Sequence, residues 1–309
     1  MHTRLGPARA LADAKIPFVV WAEDALSFAH FVPTVLFMMQ ILVPDEEVDA
    51  ACDVLTLRLP YERKPTPHLD WMEYKYIDTD QPSCFPQAAL LEWTALIPDG
   101  ITGEKVALHI VIHPQSYFSF DVRDPSRSLT LVPPLSLDNT GVRFPTLTAF
   151  IDSLSDTMLD PPLGYRHWKL TTRLRSYLSY LMYYSPQTRA FPRVLPNGDL
   201  EPGHRALLMC VKPENRQFLD GIVRGTPVGW MTQVLERRAL LEQIGRIAEA
   251  RRPLPENRPR RVWQSREYHS NASTINSGLQ RISYPRPPPS LSMIVVTAAK
   301  LPGVLRRLK

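Results

Sequence analysis

Cysteine is scarce: three residues in 309 (Cys52, Cys84 and Cys210), odd in number, far apart and without CxxC spacing. That excludes a disulfide framework and a cysteine-built zinc site, and it fits a reducing compartment. No run of 18 apolar residues occurs, so no membrane-spanning helix is expected. The opening MHTRLGPARALADAK lacks the apolar core of a signal peptide, and the expected location is cytoplasm or nucleus. No internal repeat is present. Excess positive charge is also missing from most of the chain. Residues 251–309 hold 12 Lys and Arg against 2 Asp and Glu, which leaves 24 against 29 for residues 1–250. The net charge of +5 therefore belongs to the tail, and a body that binds nucleic acid through its own charge is disfavoured.

What is abundant is proline. Its 31 residues are about twice ordinary usage, so loops, strand edges and linkers must be plentiful. The tail (RRPLPENRPRRVWQSREYHSNASTINSGLQRISYPRPPPS from Arg251) combines Pro, Arg, Ser and Asn with few core formers and reads as disordered.

The stretch IPFVVWAEDALSFAHFVPTVLFMMQILVPDEEVDAACDV, Ile16 to Val54, organises the rest. A helix is expected over Ala8–Lys15 and a short apolar strand over Phe18–Trp21. Asp24 suits the N-cap or first turn of a helix over Ala25–His30. Val35–Val43 reads as a strand too continuous to have one face in water, hence central. Asp45, Glu46 and Glu47 read as first-turn acids of a following helix. Further strands are expected at Trp71–Ile77, Leu90–Trp93, Val106–Ile112, Tyr117–Val122 and Ser128–Val132. Helices are expected at Thr146–Leu159, Tyr165–Tyr184, Arg205–Val211, Glu214–Val223 and Val228–Ala250.

Helix, strand, glycine-rich turn, short helix, then a strand with an Asp-x-Asp pair is the opening of the nucleotidyltransferase superfamily, and residues 8–57 resemble it. To about residue 225 the chain also resembles a fungal protein family of uncharacterised function with the same opening, including HPQSYFSFDV (His113 to Val122) and LPNGDLEPG (Leu195 to Gly203). The resemblance implies an α+β, nucleotidyltransferase-like mixed sheet with flanking helices over residues 1–145. A helical region packed on it (146–250) and a disordered basic tail (251–309) would follow.

The superfamily's chemistry needs two carboxylates on alternate strand positions, so that both reach one divalent metal. Mg²⁺ requires oxygen ligands. The matching positions here are Met38 and Gln40, a thioether and a neutral amide, and no acid occurs between Val35 and Pro44. The paired glycines appear as Ala22 and Glu23. Glu23 and Asp24 place negative charge where phosphate would sit, which opposes the benefit of a helix N-terminus. A third carboxylate is marked only by strand alternation, at Glu73.

Other groupings are weaker. His109 and His113, with Asp121 downstream, suggest a metal or acid–base site, but four strand residues span about 13 Å. A half-buried His109 and a loop His113 are the simpler expectation, and a turn in which His113 orients Ser116 has no nucleophile elbow behind it. Arg166, His167, Lys169, Arg173 and Arg175 cluster early in one helix; Arg166, Lys169 and Arg173 are the candidates for anion contact, against the solvated face of an amphipathic helix. Tyr177, Tyr180, Tyr183 and Tyr184 have the spacing of packing residues.

The expectation is thus a nucleotidyltransferase-like protein without metal-dependent transfer, needing no cofactor and acting as a binding or scaffold protein, with an unidentified protein as partner. One alternative is an active transferase using other carboxylates, with Mg²⁺ as cofactor. Another is nucleic-acid binding through Arg258, Arg260, Arg261, Arg306 and Arg307 of the tail.

Overall fold

The organising stretch forms a strand, a helix and a second strand laid antiparallel to the first. The structure, a computed structural model, describes residues 3–65, 88–96, 106–131, 137–160, 167–226 and 229–250, without the side chains of 167–170 and 230–231. Helix α1 (Gly6–Asp13) leads to strand β1 (Val19–Trp21), helix α2 (Ala22–Phe28) and strand β2 (Met39–Val43). Helix α3 (Val48–Arg58) and strands β3 (Tyr61–Lys64), β4 (Ala89–Trp93) and β5 (His109–Pro114) follow. Together they build a mixed five-stranded sheet of order β1-β2-β5-β4-β3, parallel only between β2 and β5. Strands β6 (Ser128–Leu129) and β7 (Phe144–Pro145) form a separate pair. Just before β7, the Arg143 carbonyl accepts from Val20 N–H at 2.9 Å and closes the outer edge of β1.

Five helices complete the α+β fold: α4 (Leu147–Leu159), α5 (His167–Tyr184), α6 (Pro202–Cys210), α7 (Pro213–Arg224) and α8 (Trp230–Gln243). All described residues lie in one compact unit, Met1–Glu256. Among them no helix is long and apolar enough to cross a membrane, and Cys52 and Cys210 are free thiols.

Register decides what meets what. Trp21, Gln40 and Val111 align across β1, β2 and β5, as do Val19, Leu42 and His113. Side chains alternate along a strand, so these six share one face. On it the Trp21 ring packs against Phe118, Phe120 and Phe150 at centroid distances of 5.4, 5.3 and 4.4 Å, which fixes α4 to the sheet. The later helices are joined by charge. Asp156 of α4 accepts from Lys212 Nζ (2.6 Å), Asn215 Nδ2 (2.9 Å) and Arg237 Nη2 (2.8 Å), so one buried carboxylate ties α4 to α7 and α8. Burial by itself would raise its pKa; Lys212 and Arg237 outweigh that and hold it below the usual value.

Several expectations are corrected. The central strand begins at Met39, not Val35, because Phe31–Phe37 is an irregular segment. It contains Pro33 and a left-handed Phe31 (φ 53°), both incompatible with a paired strand. Tyr117–Val122 is not a strand: Gln115–Phe118 is a 3-10 turn that Ser119 ends in a left-handed conformation. The strand at Ser128 has two residues only. Tyr61–Lys64 is a strand that its polar composition concealed, since it lies at the sheet edge. Trp71–Ile77, Cys84 and the tail 251–309 lie outside the described residues.

Candidate functional site

β1 runs into α2 without a loop. The junction residue Ala22 has φ 54°, in the left-handed region that costs an L-residue roughly 1–2 kcal/mol. This is the first of the two positions where the superfamily resemblance expects glycine. The turn that favours glycine is present, and alanine occupies it.

The helix therefore begins three residues earlier than its apolar pattern suggests, and Glu23 and Asp24 fall in its first turn. Neither caps it. Asp24, fully buried, receives Arg4 Nε at 2.6 Å and Nη2 at 2.9 Å, a two-point ion pair between side chains with no solvent exposure. Burial raises the Asp24 pKa, and the Arg4 bonds work against that rise. Arg4 Nη2 also donates to the Phe37 carbonyl at 3.0 Å, so this pair holds the irregular segment before β2.

Glu23 is the centre of a second network. Its Oε1 accepts from Arg173 Nη2 at 2.9 Å and from the Tyr177 hydroxyl at 2.5 Å. Its Oε2 accepts from Gln40 Nε2 at 3.3 Å. Arg173 Nε in turn donates to the Tyr177 oxygen at 2.6 Å. The other end of the Gln40 amide, Oε1, lies 3.2 Å from His113 Nε2. Since the Gln40 NH₂ is committed to Glu23, its oxygen must accept, and His113 carries its proton on Nε2. His113 is completely buried on β5; burial, with the Arg173 charge nearby, pushes its pKa down to about 3, so it is neutral. Among the described contacts, one anion, one cation and three neutral groups are thus joined in one network.

The local sequence explains the assembly. Gln40 on β2 and His113 on β5 share the sheet face identified above. Arg173 and Tyr177 are four apart on α5, the spacing that puts two side chains on one helix face. Glu23 projects from the first turn of α2, which follows the C-terminal end of β1, and the four elements meet there.

Among the expected site residues, the structure brings together Glu23, Gln40 and Arg173, with Ala22 at the junction. Met38 is buried at the bend before β2 and takes no part in the network. Arg166 and Glu73 lie outside the described residues; Lys169 belongs to α5, but its side chain is not described. Arg173 does contact an anion, and that anion is the protein's own Glu23. His113 is not a loop residue, and it is not paired with His109, whose Nε2 lies 3.5 Å from Glu92 Oε1. Asp121 accepts from the Arg123 backbone N–H. Asp45 and Glu46 are not caps: Asp45 accepts from Ser116 N–H, and Glu46 pairs with Arg123. Tyr177 contributes its hydroxyl as well as its ring, while Tyr180 and Tyr184 are partly exposed and pack on each other.

Chemically, the cluster offers an amide, an imidazole, a phenol, a guanidinium and one carboxylate that already accepts three hydrogen bonds. Such a set holds α5 to α2 and β2. Among the described residues, no group of three or more His, Cys, Asp or Glu side chains is arranged to hold a metal ion. In comparisons with known protein families, curated proteins and solved structures, the chain has no match.

Proposed function

We propose that this chain is a nucleotidyltransferase-like protein that has lost metal-dependent nucleotidyl transfer and acts as a binding or scaffold protein. The observation that supports the reading best is the Glu23 network. Where the resemblance puts phosphate against the start of α2, the chain has a carboxylate bonded to Arg173 and Tyr177. Where it puts the paired carboxylates on the second strand, the chain has Met38, without oxygen, and Gln40, whose amide is bonded at both ends. The sheet order, the left-handed junction at Ala22 and the helix that follows are consistent with a retained frame.

An active transferase would need two acids on one strand beside α2. β2 reads MQILV and has none. Thermal-shift titration of the full chain with ATP, CTP, GTP and UTP, each with and without Mg²⁺, tests the proposal. No Mg²⁺-dependent rise in Tm is expected. A clear one, which ligand linkage would make about 2.7 kcal/mol at a hundredfold excess over Kd, would overturn it.

A further inference from the structure

At the opposite, N-terminal end of β1 the charge balance reverses. There an open groove of about 380 Å³ is lined by Lys15, Arg123 and Arg143 and by apolar side chains including Ile16, Pro17 and Val122, with no carboxylate among its lining residues. Its size is at the lower end of small-molecule sites.

The three cations differ in what they already hold. Arg123 is engaged: its Nη2 lies 2.5 Å from Glu46 and 3.9 Å from Glu47. Of the neighbouring acids, Asp121 accepts from the Arg123 backbone N–H and Asp124 from Ser126, while the exposed Asp13, two residues before Lys15, does not line the groove. Arg143 donates only from Nη1, to Ser128 Oγ at 3.0 Å. Lys15 and Arg143 form no ion pair with any described residue. Two positive charges therefore remain uncompensated beside an apolar wall.

Lys15 carries a second, independent signal. Lys15 N–H donates to the Ala12 carbonyl (3.0 Å) and Ile16 N–H to the Leu11 carbonyl (3.1 Å), which closes α1 in the motif that normally places glycine in the left-handed position. Lys15 occupies it with φ 59°. Lysine stands here in a strained backbone conformation, as Ala22, Phe31 and Ser119 also do, and it is the one of the four that lines the groove. Such an outlier raises the hypothesis of a role for the side chain beyond ending the helix.

We propose that this groove binds a phosphomonoester whose apolar body lies on Ile16, Pro17 and Val122. A phosphomonoester carries about 1.5 to 2 negative charges at neutral pH, which matches the two uncommitted cations. Arg143 supplies a planar fork suited to phosphate oxygens and Lys15 a point charge. The proposal is independent of the transferase reading, because it concerns the other end of the strand.

The test is calorimetric titration of the full chain with phenyl phosphate and with inorganic phosphate at low salt. Saturable binding is expected, tighter for phenyl phosphate because of the apolar wall. Lys15→Gln with Arg143→Gln should weaken it about tenfold, near 1.4 kcal/mol for the two contacts. Lys15→Gly separates binding from folding: glycine suits φ 59°, so this variant should keep or raise Tm while losing about threefold in affinity. Arg63→Gln, in an exposed pair with Asp49 elsewhere, should change neither. Equal affinity in wild type and the double variant would place binding elsewhere, the basic tail included, and overturn the proposal. So would the absence of saturable binding at about 10 mM ligand, since a Kd weaker than millimolar leaves under roughly 4 kcal/mol of affinity.

Discussion

The two ends of β1 carry comparable cations in opposite circumstances. At the C-terminal end Arg173 meets Glu23 inside the fold, the pair is nearly buried, and Tyr177, Gln40 and His113 complete it. At the N-terminal end Lys15 and Arg143 are exposed and lack a carboxylate among the described residues. The first arrangement supplies its own anion, which Arg173, Tyr177 and Gln40 already bond. The second has the charge and the space but not the anion. A cation's value as a binding group depends on whether the fold has already used it, and residue type does not reveal that.

Breaking the closed end should have the largest effect. Arg4→Met leaves the Asp24 carboxylate buried and unpaired, and a loss of about 3–5 kcal/mol in unfolding free energy is expected from urea denaturation. If the loss is below about 1 kcal/mol, the pair does not hold α2 to the segment before β2. Glu23→Gln should come next, at about 2–3 kcal/mol, because it leaves Arg173 with a neutral partner in a nearly dry site. A loss below about 1 kcal/mol in urea denaturation would mean that the Glu23–Arg173 pair does not hold α5 to α2.

Two buried histidines set the pH response. His113 is pushed down to about 3 by burial and the Arg173 charge, and His30 to about 4 by burial, against a bond that its ring donates to the Pro145 backbone carbonyl. Both are neutral in the folded protein, while unfolded histidines titrate near 6.5. At these two sites the unfolded chain therefore binds more protons, so their contribution to stability is full above pH about 6.5 and falls as the pH drops toward 4, while Asp24 and Asp152, whose pKa burial raises, act in the opposite sense. The expected slope is about 1.4 kcal/mol per pH unit for each histidine. Chemical denaturation at several pH values in that range should show a slope reduced by about half in His113→Gln; an unchanged slope would mean that His113 does not titrate this way. The smallest effect belongs to the open end, where Lys15→Gly should add about 1 kcal/mol of stability by removing the left-handed lysine.

The frame was legible because apolar continuity reports it. VVW and MQILV are fully buried strands, and the 3.6-residue stripe of Thr146–Leu159 became α4 with Thr146 as its cap. The misreading of Val35–Phe37 has a clear cause: those residues are apolar, yet Val35 and Phe37 are at least half exposed beside Pro33 and the left-handed Phe31, so composition and position disagree. The candidate site was legible in its parts and not in its contacts. Glu23, Gln40 and Arg173 stood out singly, but Glu23 and Arg173 are 150 residues apart and meet only because α5 packs on α2. Arg4 gave no local signal at all. His113, placed before a proline, reads as a loop residue, yet its proline ends a central strand.

Under the proposed reading, the Glu23 network fills the place where a transferase would hold phosphate and metal. The most direct measurement is paramagnetic broadening by Mn²⁺·ATP of the Gln40 side-chain amide and His113 ring resonances in the full chain. Neither is expected to broaden beyond the half-buried His109 ring, which serves as the reference. Selective broadening of Gln40 and His113, absent with Mg²⁺·ATP, would put a metal–nucleotide complex at the end of β1 and contradict it.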